Sequence, residues 1–312
     1  MTNRTQESET SITALLHYLW TKKLYVILLP LAFGICTAFW SLTLPNLYKS
    51  TALLTPADGM SESGLQGLTG QLGGVASLAG LSFGAAGGQS KIDVALAILE
   101  SRQFLFDFID RHELAVPLLA SKEWEPEAKT LEIDPDVYDI ESQKWVRKVG
   151  FPRRQVPSKM ELYETFLGVL DVEQDTTTGI VTLSVVFKDP HLAQHWASKL
   201  VDDLNDKMRR REVDKTRKNI AYLKAQVEKT ENVEVKQVFY DLIQEQYKNL
   251  MLAEVREDFV FDVIDKAIVP EMKDSPKRAL MVVVATFIMG FLVVVVFLIM
   301  FLLKDESKYE QS

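Results

Sequence analysis

Cysteine is almost missing from these 312 residues, since Cys36 is the only one. It lies inside an uncharged run, Leu24 to Leu44, so no disulfide braces the chain and its fold rests on burial. Histidine is scarce as well, at four residues, which leaves few ligands for a metal centre. An excess of positive charge is absent: the formal net charge is -8, which argues against nucleic acid as a partner. Glycine is nearly withheld from the ordered-looking parts, because ten of the fifteen fall between Gly59 and Gly88.

Apolar sequence, by contrast, is concentrated in two blocks. Ala279 to Leu303 reads ALMVVVATFIMGFLVVVVFLIMFLL without a charge, about 37 Å as a helix, against a hydrocarbon core of about 30 Å. Leu24 to Leu44 is uncharged too and about 31 Å long. Two spans are predicted, residues 24–44 and 279–303, with the domain 45–278 between them. The first is read as a retained span, because it runs on through Phe39 and Trp40 where a cleaved signal peptide stops at a small-x-small site. Ile35 before Cys36 likewise lacks the small residue of a lipoprotein signal. Lys22 and Lys23 abut the first span, which places the tail 1–23 in the cytoplasm and domain 45–278 across the bilayer. The tail 304–312 then returns to the cytoplasm.

Along the chain, Met1 to Thr10 is a polar tail, and Ser11 to Trp20 is read as an amphipathic helix entering the membrane interface. Asn46 to Pro56 predicts a strand leaving the bilayer. The Gly59–Gly88 stretch lacks the Lys and Ser/Thr that must follow the last glycine of a phosphate loop, so it reads as a connector. Val94 to Ile109 predicts one amphipathic helix packed on a sheet, and Ser158 to Val169 a shorter helix. The 40 residues from Leu118 to Pro157 read as irregular. Val169–Asp175 and Ile180–Lys188 flank a turn ending in Gly179, a hairpin, and Phe259–Val269 is a further β-rich run expected in the same sheet. From Asp189-Pro190, a helix start, the pattern is helical over about 190–256 with a weak patch at Lys229 to Asn232. A helix of that length is too long for a compact domain to bury and must find partners, as a coiled coil or with other copies.

No catalytic constellation is legible. His191 and His195 share a helix face, yet no third ligand accompanies them. His112-Glu113 lacks the second histidine of a zincin, and Pro135 breaks the calcium-loop spacing of Asp134, Asp136 and Asp139. Neither a metal nor a cofactor is expected, and no enzyme activity. Arg209, Arg210 and Arg211 form the sharpest basic cluster, a candidate contact for polymer or for a neighbouring subunit; salt bridges to an acidic helix face are the plainer reading. Gly34 and Ala38 in the first span, with Thr286 and Gly290 in the second, carry small-xxx-small spacing and are candidates for close helix packing.

The chain resembles the polysaccharide co-polymerases (Wzz), the bacterial chain-length determinants of lipopolysaccharide O-antigen and related polymers. The resemblance is carried by the two terminal spans, Lys91 to Leu99 after the glycine stretch, Trp145-Val146-Arg147-Lys148-Val149, Asp175 to Thr182, and above all the run from Val269-Pro270 to Ser275-Pro276-Lys277-Arg278 before the second span. It implies an α+β membrane protein of the bacterial inner membrane with a periplasmic domain: a membrane-proximal α/β base and long extended helices. It also implies a ring-like homo-oligomer that sets the length of a lipid-linked polysaccharide made by a separate membrane polymerase. Pro270, Ser275, Pro276, Lys277 and Arg278 are then the membrane-junction motif that orients the periplasmic part. Lys273 stands where members usually have another proline. The nine residues after Leu303 hold no Walker motif and one tyrosine, Tyr309, so the kinase of some capsule systems is not expected here. The competing readings are a capsule or exopolysaccharide export co-polymerase served by a separate kinase, and a two-span periplasmic sensor.

Overall fold

A computed structural model describes residues 20–57, 91–256 and 258–309. The tail before Trp20 and the Gly59–Gly88 connector lie outside the described residues. The chain divides into two units, one made of residues up to Leu47 together with those from Lys273 onward, the other Tyr48–Met272.

The first unit is a pair of apolar helices, α1 (Lys23–Leu42) and, at the far end of the chain, Arg278–Tyr309. Both are long and apolar enough to cross a membrane. Most of their large side chains are exposed, among them Phe33, Phe39, Phe287 and Phe291. A helix apolar on all sides and uncovered by protein is suited to lipid.

The second unit is built on a four-stranded antiparallel sheet. Its strands are β1 (Tyr48–Pro56), β6 (Leu170–Gln174), β7 (Val181–Phe187) and β8 (Phe261–Asp265), in the order β6-β7-β1-β8. Alternation sets the faces. Ser50, Ala52 and Leu54 on β1 stand opposite Val185, Leu183 and Val181 on β7, and all six side chains point to one buried side. The β6–β7 turn is closed by Gly179 at φ +72°, a left-handed position that costs glycine little, and by Asp175 Oδ1, which accepts from Thr177 N at 2.8 Å.

Helix α6 (Pro190–Lys229) covers that side. Asp189 starts it by accepting from the amides of His191 (2.8 Å) and Leu192 (3.2 Å), with Pro190 in the first turn. Its inward residues, Ala193, Trp196, Ala197, Leu200 and Leu204, are almost wholly buried. Trp196 meets Phe187 at 4.5 Å and Phe166 at 6.0 Å between ring centroids. Burying such an aromatic side chain contributes about 3 kcal/mol.

The long helix expected over about 190–256 is two helices. After Lys229 the chain runs extended through Thr230, and Asn232 then caps α7 (Val233–Val255) by accepting from Glu234 N (2.8 Å) and Val235 N (3.3 Å). The capping side chain competes with continuation of the helix and wins at the weak patch. α7 returns antiparallel to α6. Arg217 pairs with Glu254 at 2.9 Å, and Lys224 donates to Tyr247 Oη at 2.9 Å. Thr216, Ile220 and Leu223 are buried on α6, Ile243 and Ala253 on α7.

The helix expected over 94–109 is likewise two, α2 (Lys91–Leu99) and α3 (Arg102–Arg111), because Ser101 caps the second from the backbone of Phe104. They pack on α6 and on α5 (Lys159–Leu167), in the same buried cluster as the sheet residues Ala52, Leu54 and Leu183. The stretch read as irregular holds a short helix α4 (Ala115–Ala120) and two small hairpins, β2–β3 (Ser121–Glu125, Thr130–Ile133) and β4–β5 (Tyr138–Asp139, Lys144–Trp145). Lys129 and Gln143 take their turns at φ 51° and 52°. Neither residue type signals a left-handed position, so the turns are invisible in sequence.

Arg147 fastens the segment after these hairpins. Its Nη1 and Nη2 donate to Glu161 Oε1 (2.6 Å) and Oε2 (2.7 Å), and further N–H groups donate to the carbonyls of Arg154 (2.8 Å) and Gln155 (2.9 Å). This bidentate pair, largely shielded from solvent, holds the Glu161 carboxyl below its ordinary value of 4.5. The stability it contributes is therefore complete above that value and is lost as pH falls through the lowered one. Urea unfolding of the detergent-solubilised chain should show wild type exceeding Arg147→Met by a margin that shrinks in acid. A margin constant with pH would deny the pair this role.

Candidate functional site

The predicted junction residues Ser275 to Arg278 lie in the first unit, at the ends of its two apolar helices. Leu47 and Ser275 form an antiparallel bridge: Leu47 N donates to Ser275 O and Asp274 N to Leu47 O, each at 2.9 Å. Beside it, Asn46 Oδ1 accepts from Lys273 Nζ (3.1 Å) and Arg278 Nη2 (3.2 Å), and Arg278 Nη2 also donates to Leu44 O at 3.1 Å. The end of α1 and the start of the last helix, α8 (Arg278–Tyr309), are thus joined by backbone and by charge. Charge-assisted bonds to a carbonyl and an amide oxygen are the stronger kind, and here they close a loop of more than 200 residues.

Among the predicted junction residues, Ser275 and Arg278 make these contacts. Pro276 precedes the helix with its carbonyl accepting from Arg278 N at 2.9 Å, and Lys277 is exposed. Pro270 belongs to the other unit, half-buried beyond β8. Asn46 and Leu44 were not foreseen as partners. Lys273, where a proline was anticipated, supplies one of the cations.

The four small residues proposed for helix packing do not behave alike. Gly34 is buried directly against Thr286, whose Oγ1 donates to Val282 O at 2.7 Å, so a Cβ on Gly34 would collide with that hydroxyl. Gly290 faces Pro30, where an added Cβ would come to 3.7 Å, ordinary contact. Ala38 is half-buried. Close approach of two helices at small residues is how packing is gained in lipid, where no hydrophobic force drives association.

Arg209, Arg210 and Arg211 separate. Arg209 pairs with Asp206 and reaches the carbonyl of Arg256. Arg210 and Arg211 line a cleft of about 720 Å³ between α3 and α6. Among the described residues no group of three His, Cys, Asp or Glu side chains suited to a metal occurs. His191 lies by Trp124, while His112 Nε2 is 3.0 Å from Asp203 Oδ2, which also pairs with Arg111 at 2.8 Å. Asp139 accepts from Glu141 N and the Ser142 hydroxyl, and Asp134 from Asp136 N, which makes both of them turn caps.

One residue with a positioning role escaped the sequence reading. Asn205, in the middle of α6, accepts from Val260 N (2.9 Å) and Phe261 N (3.0 Å) and donates to Phe261 O (2.8 Å). It pins the start of β8, the strand that leads toward the junction. An asparagine inside a helix, where its propensity is poor, was the available signal.

No curated protein matches the chain. Among solved structures, a full-length bacterial polysaccharide co-polymerase is 15% identical, with 93% of this chain and 97% of that one covered, at a TM-score of 0.33. A fragment of WzzB, a polysaccharide co-polymerase from Salmonella Typhimurium, is 18% identical over 74% of this chain and all (100%) of that one, at 0.30. The wild-type lipopolysaccharide O-antigen chain-length regulator of Shigella flexneri is 11% identical over 73% and 100%, at 0.21. At such TM-scores these likenesses carry no weight of their own. The recognition rests on sequence instead: over residues 8–112 the chain matches the family described as chain length determinant protein, Wzz, the family of polysaccharide co-polymerases that its motifs resemble.

Proposed function

We propose that this protein regulates the chain length of a surface polysaccharide, the O-antigen of lipopolysaccharide or a similar polymer, without making or breaking bonds itself. The observation that carries the reading is the match of residues 8–112 to the chain length determinant family, in a chain with one apolar helix near each end. On this reading residues 24–44 and 279–303 span the bacterial inner membrane, 45–278 form the periplasmic domain, and both tails are cytoplasmic. The sheet with its covering helices is the membrane-proximal base. The protein works as a ring-like homo-oligomer beside a separate polymerase, and its spans and periplasmic surfaces govern how long that polymerase stays on one chain.

The Leu47–Ser275 bridge and the Arg278–Asn46 contacts fit this role, because a scaffold must hold both membrane helices in fixed relation to pass a geometric limit to a partner. Arg278→Ala removes the cation that joins Leu44 and Asn46. The expected result is a shifted or broadened modal length with total polymer retained, read on gels of surface polysaccharide. Disappearance of all polymer would contradict a purely regulatory role. For topology, alkaline phosphatase fused after Leu200 should be active, as a periplasmic enzyme is, and an inactive fusion would reverse the placement.

A further inference from the structure

Helix α7 exposes apolar side chains beyond the face it turns to α6. Toward α6 it turns Phe239, Leu242, Ile243, Leu250 and Ala253, all buried or half-buried. Beside that face Val233, Tyr240, Tyr247, Met251 and Val255 succeed one another at steps of seven, seven, four and four, one stripe about 33 Å long that also holds Gln237 and Gln244, with Tyr247 at its α6 edge, where the hydroxyl meets Lys224. Val233 and Val255 are 79% and 81% exposed, Tyr240 and Met251 55% and 59%. An exposed, largely apolar stripe of this length marks an interaction surface. It has an acidic border. Glu234, Asp241 and Glu245 run along one edge, and none of them has an ion pair among the described residues.

The cleft between α3 and α6 has the opposite character. It is floored by Phe104 and Phe108. Three of its carboxylates are engaged: Asp107 with Lys207 at 3.7 Å, Asp203 with Arg111 at 2.8 Å, and Asp206 with Arg209. That leaves Arg210, Arg211, Lys215 and Lys218 with Asp214 as the one carboxylate not already paired.

We propose that the exposed stripe of α7 docks into the α3–α6 cleft of a second copy of this chain, its acidic border meeting Arg210, Arg211, Lys215 and Lys218. A single copy cannot close this contact on itself. The α6–α7 register sets Arg217 beside Glu254 and Lys224 beside Tyr247. Asp241 therefore lies level with the end of α6 near Thr230, about 18 Å along the helix from Lys218. The charges are complementary but out of reach within the chain. Because stripe and cleft are different surfaces, the contact is head-to-tail and leaves a free surface of each kind, so it repeats until a ring closes or a filament grows. An anionic polymer strand would suit the cations alone, but would leave the tyrosine and methionine stripe uncovered.

This inference rests on the self-association put forward above, and the test separates the two. The full-length chain in detergent is measured by light scattering over a range of concentration. Lys215→Glu with Lys218→Glu, and separately Asp241→Lys with Glu245→Lys, should each weaken self-association about tenfold or more, while all four changes together restore it. Circular dichroism confirms that each variant keeps its helices. If both reversals leave the wild-type oligomer unchanged, or if the fourfold variant stays as weak as its parents, the docking is wrong although self-association stands. A wild-type chain that is monomeric at every concentration removes both. Binding of dextran sulfate that is lost in Lys215→Glu/Lys218→Glu, with association untouched, would give the cleft to a polyanion and overturn the docking.

Discussion

Replacing Asn205 by leucine is expected to lower the stability of the Tyr48–Met272 unit on the order of 3 kcal/mol or more. Leucine is close in size, so packing is nearly kept while three hydrogen bonds vanish. Asn205 is 4% exposed, and its partners are the amides of Val260 and Phe261 and the Phe261 carbonyl. Each buried group left without a partner costs about 1–3 kcal/mol. The consequence goes beyond stability, because β8 pairs with β1 and then leads to the chain that enters the second apolar helix. Urea unfolding of the solubilised chain, followed by tryptophan fluorescence, measures the loss. A midpoint equal to wild type would mean that these three bonds are replaced without cost.

The second large effect is expected at Gly34. Leucine there must displace Thr286, since even a Cβ runs into its hydroxyl, and overpacking of this sort costs about 1–3 kcal/mol. The two helices must separate or rotate. Gly290→Ala should be tolerated by comparison, its Cβ meeting Pro30 at contact distance. If the helix pair takes part in length control, Gly34→Leu shifts the modal polysaccharide length, Gly290→Ala does not, and Thr286→Ala combined with Gly34→Ala recovers the wild-type profile. Equal effects of the two glycine substitutions would show that the Gly34–Thr286 contact is not what matters.

These two residues mark what sequence could and could not tell. Gly34 and Thr286 were candidates because small residues at four-residue spacing are visible in an apolar run, but what sets them apart from Gly290 is the direct contact of Gly34 with the Thr286 hydroxyl. Strands β6 and β7 were legible because β-branched residues alternate around Gly179, and the start of α6 because Asp189 precedes Pro190. Asn205 and Asn46 were not singled out, since their partners lie 55 or more residues away and nothing local announces them. The breaks at Ser101 and Asn232 were underestimated for a different reason. Apolar periodicity continues across both, and a single capping side chain decides the matter. The three arginines read as one cluster because they are adjacent, yet neighbours on a helix point about 100° apart. Arg209 accordingly joins Asp206 while Arg210 and Arg211 turn to the cleft.

The central claim, regulation of polymer length without catalysis, is tested most directly by deleting the gene and resolving the surface polysaccharide by size on a gel. The account predicts that polymer remains, that its clustering around a preferred length is lost, and that wild-type protein supplied in trans restores the cluster. Complete loss of polymer on deletion, recovered by the same complementation, would contradict it and assign the protein to synthesis or export.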